Sequence, residues 1–468
     1  MKKKRNQQKN VYLRNHIPEL KEHALKTSIK DGIASNLTAV GDSYITPFAL
    51  ALNAQPIHIG ILSSLSGLLY QISQLFGSKL MERYSRKKIV LFFVFLQAIT
   101  WLFISLIAFL VWKDMFNTSS IWILILFYSM LMFFSGIHYP SWFSWMGDLV
   151  PEEKRGEYFS KRNRIGGAAG IVALMIAAFF LDYYKTKGYV LLAFSILFAI
   201  ASLFKFVSYY LLTRQYVPQF KQKKKDYFSF LSFIRRYDNF GKFAVYQGFF
   251  NLAIMVASPF FNVYMLEQLN FSYTIFTISN VSYILFYLIF LPLAGKFSDK
   301  YGNRRLTVIA NIFYIITPIF YMMVKSPLGV ILLPQLSAGI ANAALVISFS
   351  NFTYDAVRRE KRSLCITYTN NIIGIGTFIG ALLGGFIVSS FHPATINPYI
   401  FVFGVSALLR FSAAIFFLPK IKEVRKVKRL PSEYNFFSHP LASLHHGSAR
   451  LLHIPEKALG KFKSLKFL

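Results

Sequence analysis

The loop GKFSDKYGNRR, at Gly295–Arg305, repeats an earlier loop, SKLMERYSRKK, at Ser78–Lys88. The two loops align without a gap at an offset of 217 residues, and each has a carboxylate at its fifth position, Glu82 or Asp299, and two basic residues at its end. A long apolar stretch precedes and follows each loop. Internal similarity of this kind predicts a chain built from two copies of one unit.

A second pair of loops supports the duplication. DLVPEEKRG, at Asp148–Gly156, corresponds to DAVRREKRS, at Asp355–Ser363, at an offset of 207 residues. Further along each half, one basic residue stands inside an apolar stretch, Lys205 in the first half and Arg410 in the second. Three correspondences in the same order predict two halves of similar architecture. Long basic side chains near a helix end can reach the membrane surface, and we expect Lys205 and Arg410 to do so rather than bind substrate.

The apolar stretches between the loops have the length of membrane spans, about 20 residues each. Of the 468 residues, 54% are hydrophobic and 15% are charged, and there is 1 cysteine. This composition excludes a disordered chain, a disulfide scaffold and an ordinary soluble enzyme. It predicts an all-α integral membrane protein with twelve transmembrane helices, at 33–54, 57–78, 89–112, 119–145, 165–183, 189–213, 243–266, 272–295, 306–324, 327–352, 366–391 and 397–418.

The charges are unequal, with 52 Lys and Arg against 20 Asp and Glu, a net charge of +32 that would also suit nucleic-acid binding. Their position decides between the two interpretations. With the N-terminus inside, 46 basic residues fall on the inner side and 4 in the outer loops. This is the distribution of the positive-inside rule. It predicts cytoplasmic N- and C-termini in the plasma membrane, anionic lipids at the cytoplasmic face, and no nucleic-acid partner.

The loop pattern G-x-x-x-D-x-x-G-x-R-R resembles the signature between the second and third helices of the major facilitator superfamily, and Asp148–Gly156 resembles that superfamily's loop between helices four and five. The resemblance implies two pseudo-symmetric six-helix bundles, the major facilitator fold, with alternating access to a central cavity. The corresponding parts are a basic N-terminal segment, a first bundle, a central loop, a second bundle and a basic tail, at 1–30, 31–213, 214–241, 242–418 and 419–468.

The inner-loop residues are candidates for a latch between the bundles. Ion pairs across the bundles would exist only while the cytoplasmic side is closed, as the resemblance also implies. We expect Glu82 and Asp299 to take part, with Arg155 and Arg362 as candidate partners. The alternative is that the charges set topology and the glycines permit tight turns. The candidate set is Ser78, Glu82, Lys87, Lys88, Asp148, Arg155, Gly295, Asp299, Gly302, Arg304, Arg305, Asp355 and Arg362.

Asp42 lies midway along the first predicted span, in LTAVGDSYITPF. A carboxylate at that depth is costly and normally faces a cavity or a partner. Pro47 aligns with Pro259 at an offset of 212 residues, so Asp42 corresponds to Ile254 and the second half lacks the charge. We predict that Asp42 exchanges a proton during transport or binds a cationic group. The alternative is a buried carboxyl group bonded to neighbouring hydroxyls.

Further polar residues lie within the spans. His138, in the fourth span, is a candidate for a proton relay, and a structural hydrogen bond is the equal alternative. The others are mostly amides and phenols, which suit an uncharged or cationic solute better than an anion. The substrate or coupling candidates beside Asp42 and His138 are Tyr44, Gln71, Gln247, Asn251, Asn280 and Asn342.

Glycines in the eleventh span form a separate pattern. Gly376, Gly380 and Gly384 stand at four-residue spacing, which is typical of a close helix contact. A hinge is the alternative.

Together these features predict a secondary active transporter for a small uncharged or cationic solute, rather than a phosphate or dicarboxylate, with proton coupling through Asp42. We expect no enzyme activity, no cofactor and no metal site, and a monomer. The alternatives are a uniporter, a lipid-type flippase, and a receptor derived from a transporter.

Overall fold

The computed structural model describes residues 2–116, 120–151, 154–218, 229–235, 238–391, 396–425 and 427. Parts of the predicted central loop and most of the predicted tail lie outside these residues. The helices are α1 (Lys2–Ser43), α2 (Ile45–Ala51), α3 (Pro56–Leu80), α4 (Arg86–Trp112), α5 (Ser120–Leu149), α6 (Arg155–Thr186), α7 (Val190–Thr213), α8 (Phe230–Ile234), α9 (Asn239–Met255), α10 (Ser258–Val263), α11 (Tyr273–Tyr301), α12 (Asn303–Met323), α13 (Pro327–Val330), α14 (Leu336–Ala356), α15 (Arg359–Ser390) and α16 (Pro398–Phe417).

Eleven helical segments of the described chain are long and apolar enough to cross a membrane. The first predicted span is made of the end of α1 followed by α2, with a break between them. One-turn π-helices at Tyr264–Gln268 and Ile331–Gln335 continue α10 and α13. The predicted all-α fold of two repeated six-helix halves is confirmed.

The first helix of each half is broken at the same place. Tyr44 separates α1 from α2, three residues before Pro47. Residues 256–257 separate α9 from α10, just before Pro259. Proline lacks the amide hydrogen and its ring crowds the carbonyl four residues earlier, so both breaks follow from the sequence. The two halves therefore share the interruption as well as the helix order.

The chain has two faces, defined by where the helices end. The basic face carries the turns 80–86, 149–155 and 301–303, and the opposite face carries the turns 51–56, 112–120 and 186–190. The two bundles meet through α3 against α15 and α6 against α11. One hydrophobic core contains residues of both bundles, among them Phe48 and Phe260, whereas the cores nearer the basic face are built mainly from one bundle each. The bundles are thus joined toward the opposite face.

The eleventh-span glycines are contact residues. A methyl group added to any of them would collide with a backbone carbonyl of α9 or of the residue just after it, because α9 lies directly alongside α15. The facing pairs are Gly376 with Gly248, Gly380 with Leu252, and Gly384 with Val256. Glycine is required here because the two backbones are in contact.

Candidate functional site

Asp42 lies in the last turn of α1, at the break before α2. It is exposed, as is the following Ser43, whereas Gly41 and Tyr44 are buried. Its charge interacts with Lys205 on α7 and with Tyr128 on α5. Partners on two other helices of the bundle place the carboxylate on an inward face, so its exposure is to a space inside the protein rather than to lipid.

A second carboxylate, Asp31, is more buried in the same bundle. Its oxygens accept hydrogen bonds from Ser208 on α7 at 2.6 Å and from Arg162 on α6 at 3.1 Å, and its side chain is buried. Arg162 also donates to the carbonyl of Ser28 at 3.1 Å. The Lys205 ammonium interacts electrostatically with both Asp31 and Asp42. Two acids and two bases therefore form one charged cluster within the N-terminal bundle.

Arg410, the repeat partner of Lys205, does not reach the membrane surface. It is 1% exposed and donates to the carbonyl of Tyr314 at 2.6 Å and to that of Ile254 at 3.2 Å. Pro318, four residues after Tyr314, has no amide hydrogen to offer that carbonyl. The prediction that Arg410 extends to the surface is wrong. Its guanidinium satisfies the Tyr314 carbonyl, which Pro318 leaves without a helical donor, and adds a hydrogen bond to the Ile254 carbonyl, which also accepts from the amide of Ala257 at 3.3 Å.

Lys205 and Arg410 thus occupy equivalent places with different surroundings. Each comes from the sixth helix of its bundle and approaches the broken first helix. In the C-terminal bundle the basic group meets the backbone of Ile254. In the N-terminal bundle the residue at that position is Asp42, so the charge of the basic group acts on a carboxylate. Asp42, the charge that only the N-terminal half has, therefore lies at the break of α1, and Ile254 lies at the equivalent break after α9.

His138 is half-buried on α5. Its Nδ1 lies 3.0 Å from the Nε2 of Gln97 on α4 and 3.3 Å from the carbonyl oxygen of Phe134. Lys205 is close enough to act on it electrostatically. The ring therefore stands beside the charged cluster and is held by neutral partners.

The amide candidates in the C-terminal bundle differ in their bonding. Asn342 on α14 donates to the hydroxyl of Tyr283 at 2.7 Å and accepts from that of Tyr314 at 3.3 Å, which ties three helices together. Asn251 donates to the carbonyl of Gln247 at 3.1 Å. Within the described part of the chain, the buried Nε2 of Gln247 has no hydrogen-bond partner. A buried amide donor without a partner is uncommon in folded proteins.

Two further candidates lie on other contacts. Gln71 on α3 accepts a hydrogen bond from Gln74 at 3.0 Å and packs against Gly374 of α15, at the junction of the bundles. Asn280 is half-buried on α11.

The bundles are fastened together on the opposite-face side. The Tyr44 hydroxyl donates to the carbonyl of Leu174 at 3.0 Å, and its oxygen lies 2.7 Å from the hydroxyl oxygen of Thr277 on α11. Nearer the surface, the carboxylate of Asp182 on α6 accepts hydrogen bonds from the amides of Tyr273 and Thr274, each at 2.8 Å. These are the first two amides of α11, which a helix cannot bond internally. An acid of one bundle therefore caps a helix of the other.

These features coincide with a sequence match to known proteins. The Major Facilitator Superfamily profile matches residues 32–246 and again residues 243–446. The chain belongs to the Major Facilitator Superfamily. It is thus a multi-pass integral membrane protein and a membrane transporter. No curated protein sequence matches it significantly.

Solved structures of other transporters share the fold. A mutant of the nucleoside transporter NupG is 16% identical with a TM-score of 0.67, and the match covers 86% of this chain and 100% of that one. A POT family transporter in complex with 5-aminolevulinic acid is 14% identical with a TM-score of 0.64, covering 86% and 97%. A bacterial homologue of the iron transporter ferroportin, in an inward-facing state, is 14% identical with a TM-score of 0.63, covering 86% and 99%.

The superfamily loops on the basic face use arginine in the same way in both halves. Arg155 donates to the carbonyls of Gly147 at 2.6 Å and Val150 at 3.4 Å. Arg362 donates to the equivalent carbonyls, of Tyr354 at 2.9 Å and Val357 at 3.3 Å. Each arginine therefore caps the end of the preceding helix in this conformation.

The acids of the same loops have partners within their own bundle. Asp148 pairs with Arg86 at 2.6 Å, and Asp299 lies 3.5 Å from Arg425 of the segment after α16. Asp355 accepts from Asn303 at 2.9 Å. Glu82 is exposed.

The remaining loop residues shape the turns. Lys87 donates to the carbonyls of Thr213 at 2.6 Å and Gln215 at 2.8 Å, Lys88 is exposed, and Ser78 is half-buried on α3. Arg305 donates to the carbonyl of Tyr301 at 3.4 Å. Gly302 has φ of +94°, a conformation that favours glycine, whereas Gly295 lies within helix α11.

Sequence reasoning did not single out Asp31, Arg162 or Asp182 as functional. Acidic residues are so few in and near the spans that the presence of Asp31 and Asp182 there could itself have indicated a functional or structural role. Arg162 is counted by the positive-inside rule as a topology residue, and it takes the three-dimensional pairing with Asp31 to identify it.

Proposed function

We propose that this transporter couples the movement of a small uncharged or cationic solute to protons through Asp42, with the basic face in the cytoplasm. The observation that carries the proposal is the exposed carboxylate at the break of α1, on which the charge of Lys205 acts, in a place where the other half has Ile254. The concentration of basic residues on one face supports the orientation.

The proposed cycle begins from the conformation of this structure. The bundles are joined near the opposite face, by Asp182 on α11 and by Tyr44 on Thr277, so Asp42 would be reached from the basic face. A proton or a cationic solute group on the Asp42 carboxylate would end its attraction to Lys205. Lys205 would keep Asp31 as a neighbour, so its charge would not be left alone. Rocking of the bundles would then expose Asp42 to the other side.

The solute class follows from the polar groups of the two bundles. The C-terminal bundle offers half-buried amides and phenols, such as Asn251 and Tyr283, and Arg410 is bonded to backbone carbonyls. A phosphate or dicarboxylate would need a free guanidinium or ammonium group. We therefore propose a solute with hydrogen-bonding groups and at most a positive charge.

The cytoplasmic latch belongs to the same cycle. When the basic face closes, Glu82 and Asp299 would approach the other bundle, where Arg155 and Arg362 lie at the helix ends. The pairs of the present conformation, such as Asp299 with Arg425, would then be rearranged or shared. We further propose that the protein acts as a monomer in the plasma membrane, with anionic lipids against the basic face.

The test is uptake into proteoliposomes of a panel of uncharged, cationic and anionic solutes, with and without an imposed pH gradient. We expect gradient-driven accumulation of an uncharged or cationic solute that is lost in Asp42→Asn. Asp114→Asn is the matched control, since Asp114 is exposed on the opposite face at a φ of 56° that asparagine tolerates. Full accumulation by Asp42→Asn would disprove the coupling role.

Uniport is a second candidate because Lys205 can compensate the charge of Asp42 without a proton. A uniporter would exchange labelled solute across the membrane but would not accumulate it when a pH gradient is imposed.

A further inference from the structure

The chain after α16 folds back across the basic end of the C-terminal bundle. A single 3₁₀ turn, Leu418–Lys420, ends the last span, and Ile421 is then buried at 3% exposure. Lys422 and Asn239, at the start of α9, exchange two hydrogen bonds of 2.8 and 2.9 Å. We call the described residues after this turn, 421–425 and 427, the strap.

The strap is bonded to the loop between α11 and α12. The carboxylate of Glu423 accepts from the amide of Arg304 at 2.8 Å, at the start of α12. Gly302 lies beneath it, since a methyl group there would collide with Glu423 and approach Val427. The glycine of this loop therefore serves two needs, a positive φ and the close approach of the strap.

Arg425 of the strap pairs with two acids. Its Nε lies 2.6 Å from Asp355, at the end of α14, and its Nη1 lies 3.5 Å from Asp299, at the end of α11. Asp355 is 14% exposed and Asp299 is 74% exposed, so the pair with Asp355 is the better shielded of the two. The hydrogen bond to Asp355 also raises the pKa of Arg425.

The equivalent acid of the N-terminal half, Asp148, also pairs with an arginine, but that arginine does not come from a segment after the last span. There Arg86, the first residue of α4, pairs with Asp148 at 2.6 Å and donates to the carbonyl of Pro218 at 3.2 Å. At the offset of 217 residues, the position of Arg86 is held by Asn303, which donates to Asp355 but carries no charge. The guanidinium missing from the first position of α12 is supplied to Asp355 by Arg425.

We propose that Arg425 is a positioning residue of the transporter, which replaces in the C-terminal half the arginine that the N-terminal half has at position 86. It joins the basic ends of α11 and α14, and Glu423 of the same strap adds the start of α12, so that the three ends move together when this face opens and closes. The effect of Arg425 on transport rests on the proposed transport function. The structural test of its positioning role does not depend on that function.

The test measures helix-end geometry and needs no solute. The buried Cys365 is the one cysteine of the chain, so spin labels would attach to introduced sites, Lys300→Cys and Lys361→Cys, which are exposed at the ends of α11 and α15. We expect Arg425→Ala to broaden the distance distribution between these labels and to lower the thermal midpoint by about 2–4 °C. Lys420→Ala, the loss of an exposed charge five residues earlier, should change neither.

The decisive variant moves the guanidinium. Asn303→Arg combined with Arg425→Ala should restore the narrow distribution, because it recreates the arrangement of Arg86 and Asp148. Arg425→Lys should restore it in part, since an ammonium pairs with one carboxylate at a time. An unchanged distribution in Arg425→Ala, or a double variant as broad as the single one, would overturn the proposal.

For a solute identified in the uptake panel, Arg425→Ala should lower kcat and leave KM unchanged, because the contacts of the strap lie at helix ends on the basic face. If the distances respond as expected and the panel shows no transport, the positioning role stands and the proposed function fails. The two outcomes are therefore separable.

Discussion

The carboxylate of Asp182 and the backbone amide of Tyr273 lie 2.8 Å apart across the boundary between the two bundles. The acid comes from the end of α6 and the amide from the start of α11, so the hydrogen bond exists only while these helix ends are together. Negative charge at a helix N-terminus is favourable in itself. The contact therefore closes the opposite face by joining a helix end of one bundle to a helix end of the other.

Asp182→Asn should shift the molecule toward opening on the opposite face. The variant removes a charge from two hydrogen bonds, each worth about 1.5–3 kcal/mol when charge-assisted. The measurement is the distance between spin labels at Lys187→Cys and Lys325→Cys, exposed on different bundles at that face. We expect a longer component to appear, and Asp114→Asn should leave the distances as they are. Identical distances in Asp182→Asn would show that the cap does not hold the face closed.

Tyr44→Phe should open the same face by a smaller amount. It removes a buried hydroxyl that bonds Leu174 and Thr277, and such bonds contribute about 1 kcal/mol net. Thr277→Val removes the other side of the inter-bundle bond. In a double-mutant cycle on the opening equilibrium, the two changes should be non-additive by about 0.5–1 kcal/mol. Strict additivity would mean that the two hydroxyls act independently.

Arg410→Met should destabilise the fold because it leaves the carbonyl of Tyr314 without a donor and removes one of the two donors of the Ile254 carbonyl. The cost of the unbonded Tyr314 carbonyl is about 1–3 kcal/mol. Pro318→Ala gives the chain an amide that can bond Tyr314, so the double variant should lose less free energy of unfolding than Arg410→Met alone. Unfolding in detergent, followed by circular dichroism, measures both. A double variant that loses at least the sum of the two single losses would refute this account of Arg410.

Asp31→Asn should be more damaging than an acid-to-amide change elsewhere, because Arg162 would stay buried without its counter-charge. Removing one partner of a buried ion pair costs about 3–5 kcal/mol. Asp31→Asn with Arg162→Gln should recover part of that loss, as an amide pair can replace the ion pair. Unfolding of the single and double variants in detergent is again the measurement. If the single and double variants lose the same free energy of unfolding, the loss would come from the hydrogen bond of Arg162 to the backbone and not from its unpaired charge.

The sequence was sufficient for the features that depend on local pattern. Hydropathy predicted the spans, the two loop pairs predicted the repeat, and Pro47 and Pro259 stand beside the breaks in the first helix of each half. Each of these is decided by residues close together in the chain. The position of Asp42 at such a break follows from its distance to Pro47.

The contacts between side chains on different helices could not be predicted from local sequence pattern. Whether Arg410 reaches lipid or a carbonyl depends on the rotation of α16 about its axis, which no local pattern records. Arg425 is distant in sequence from Asp355 and reaches it because the chain turns back after α16. From the sequence, Asp182 is only a residue near an outer loop. Its role as the cap of α11 depends on the packing of α11 against α6.

The glycines of α15 have a mechanical consequence. Their contact with the α9 carbonyls is so close that the two helices cannot slide past each other, and α15 is also the helix that touches α3 of the other bundle, where Gly60 meets Gly385. The helix at the junction of the bundles and α9 therefore form one rigid unit. In the proposed rocking of the bundles, a tilt of α15 would also tilt the broken end of α9, where Arg410 donates to the carbonyl of Ile254.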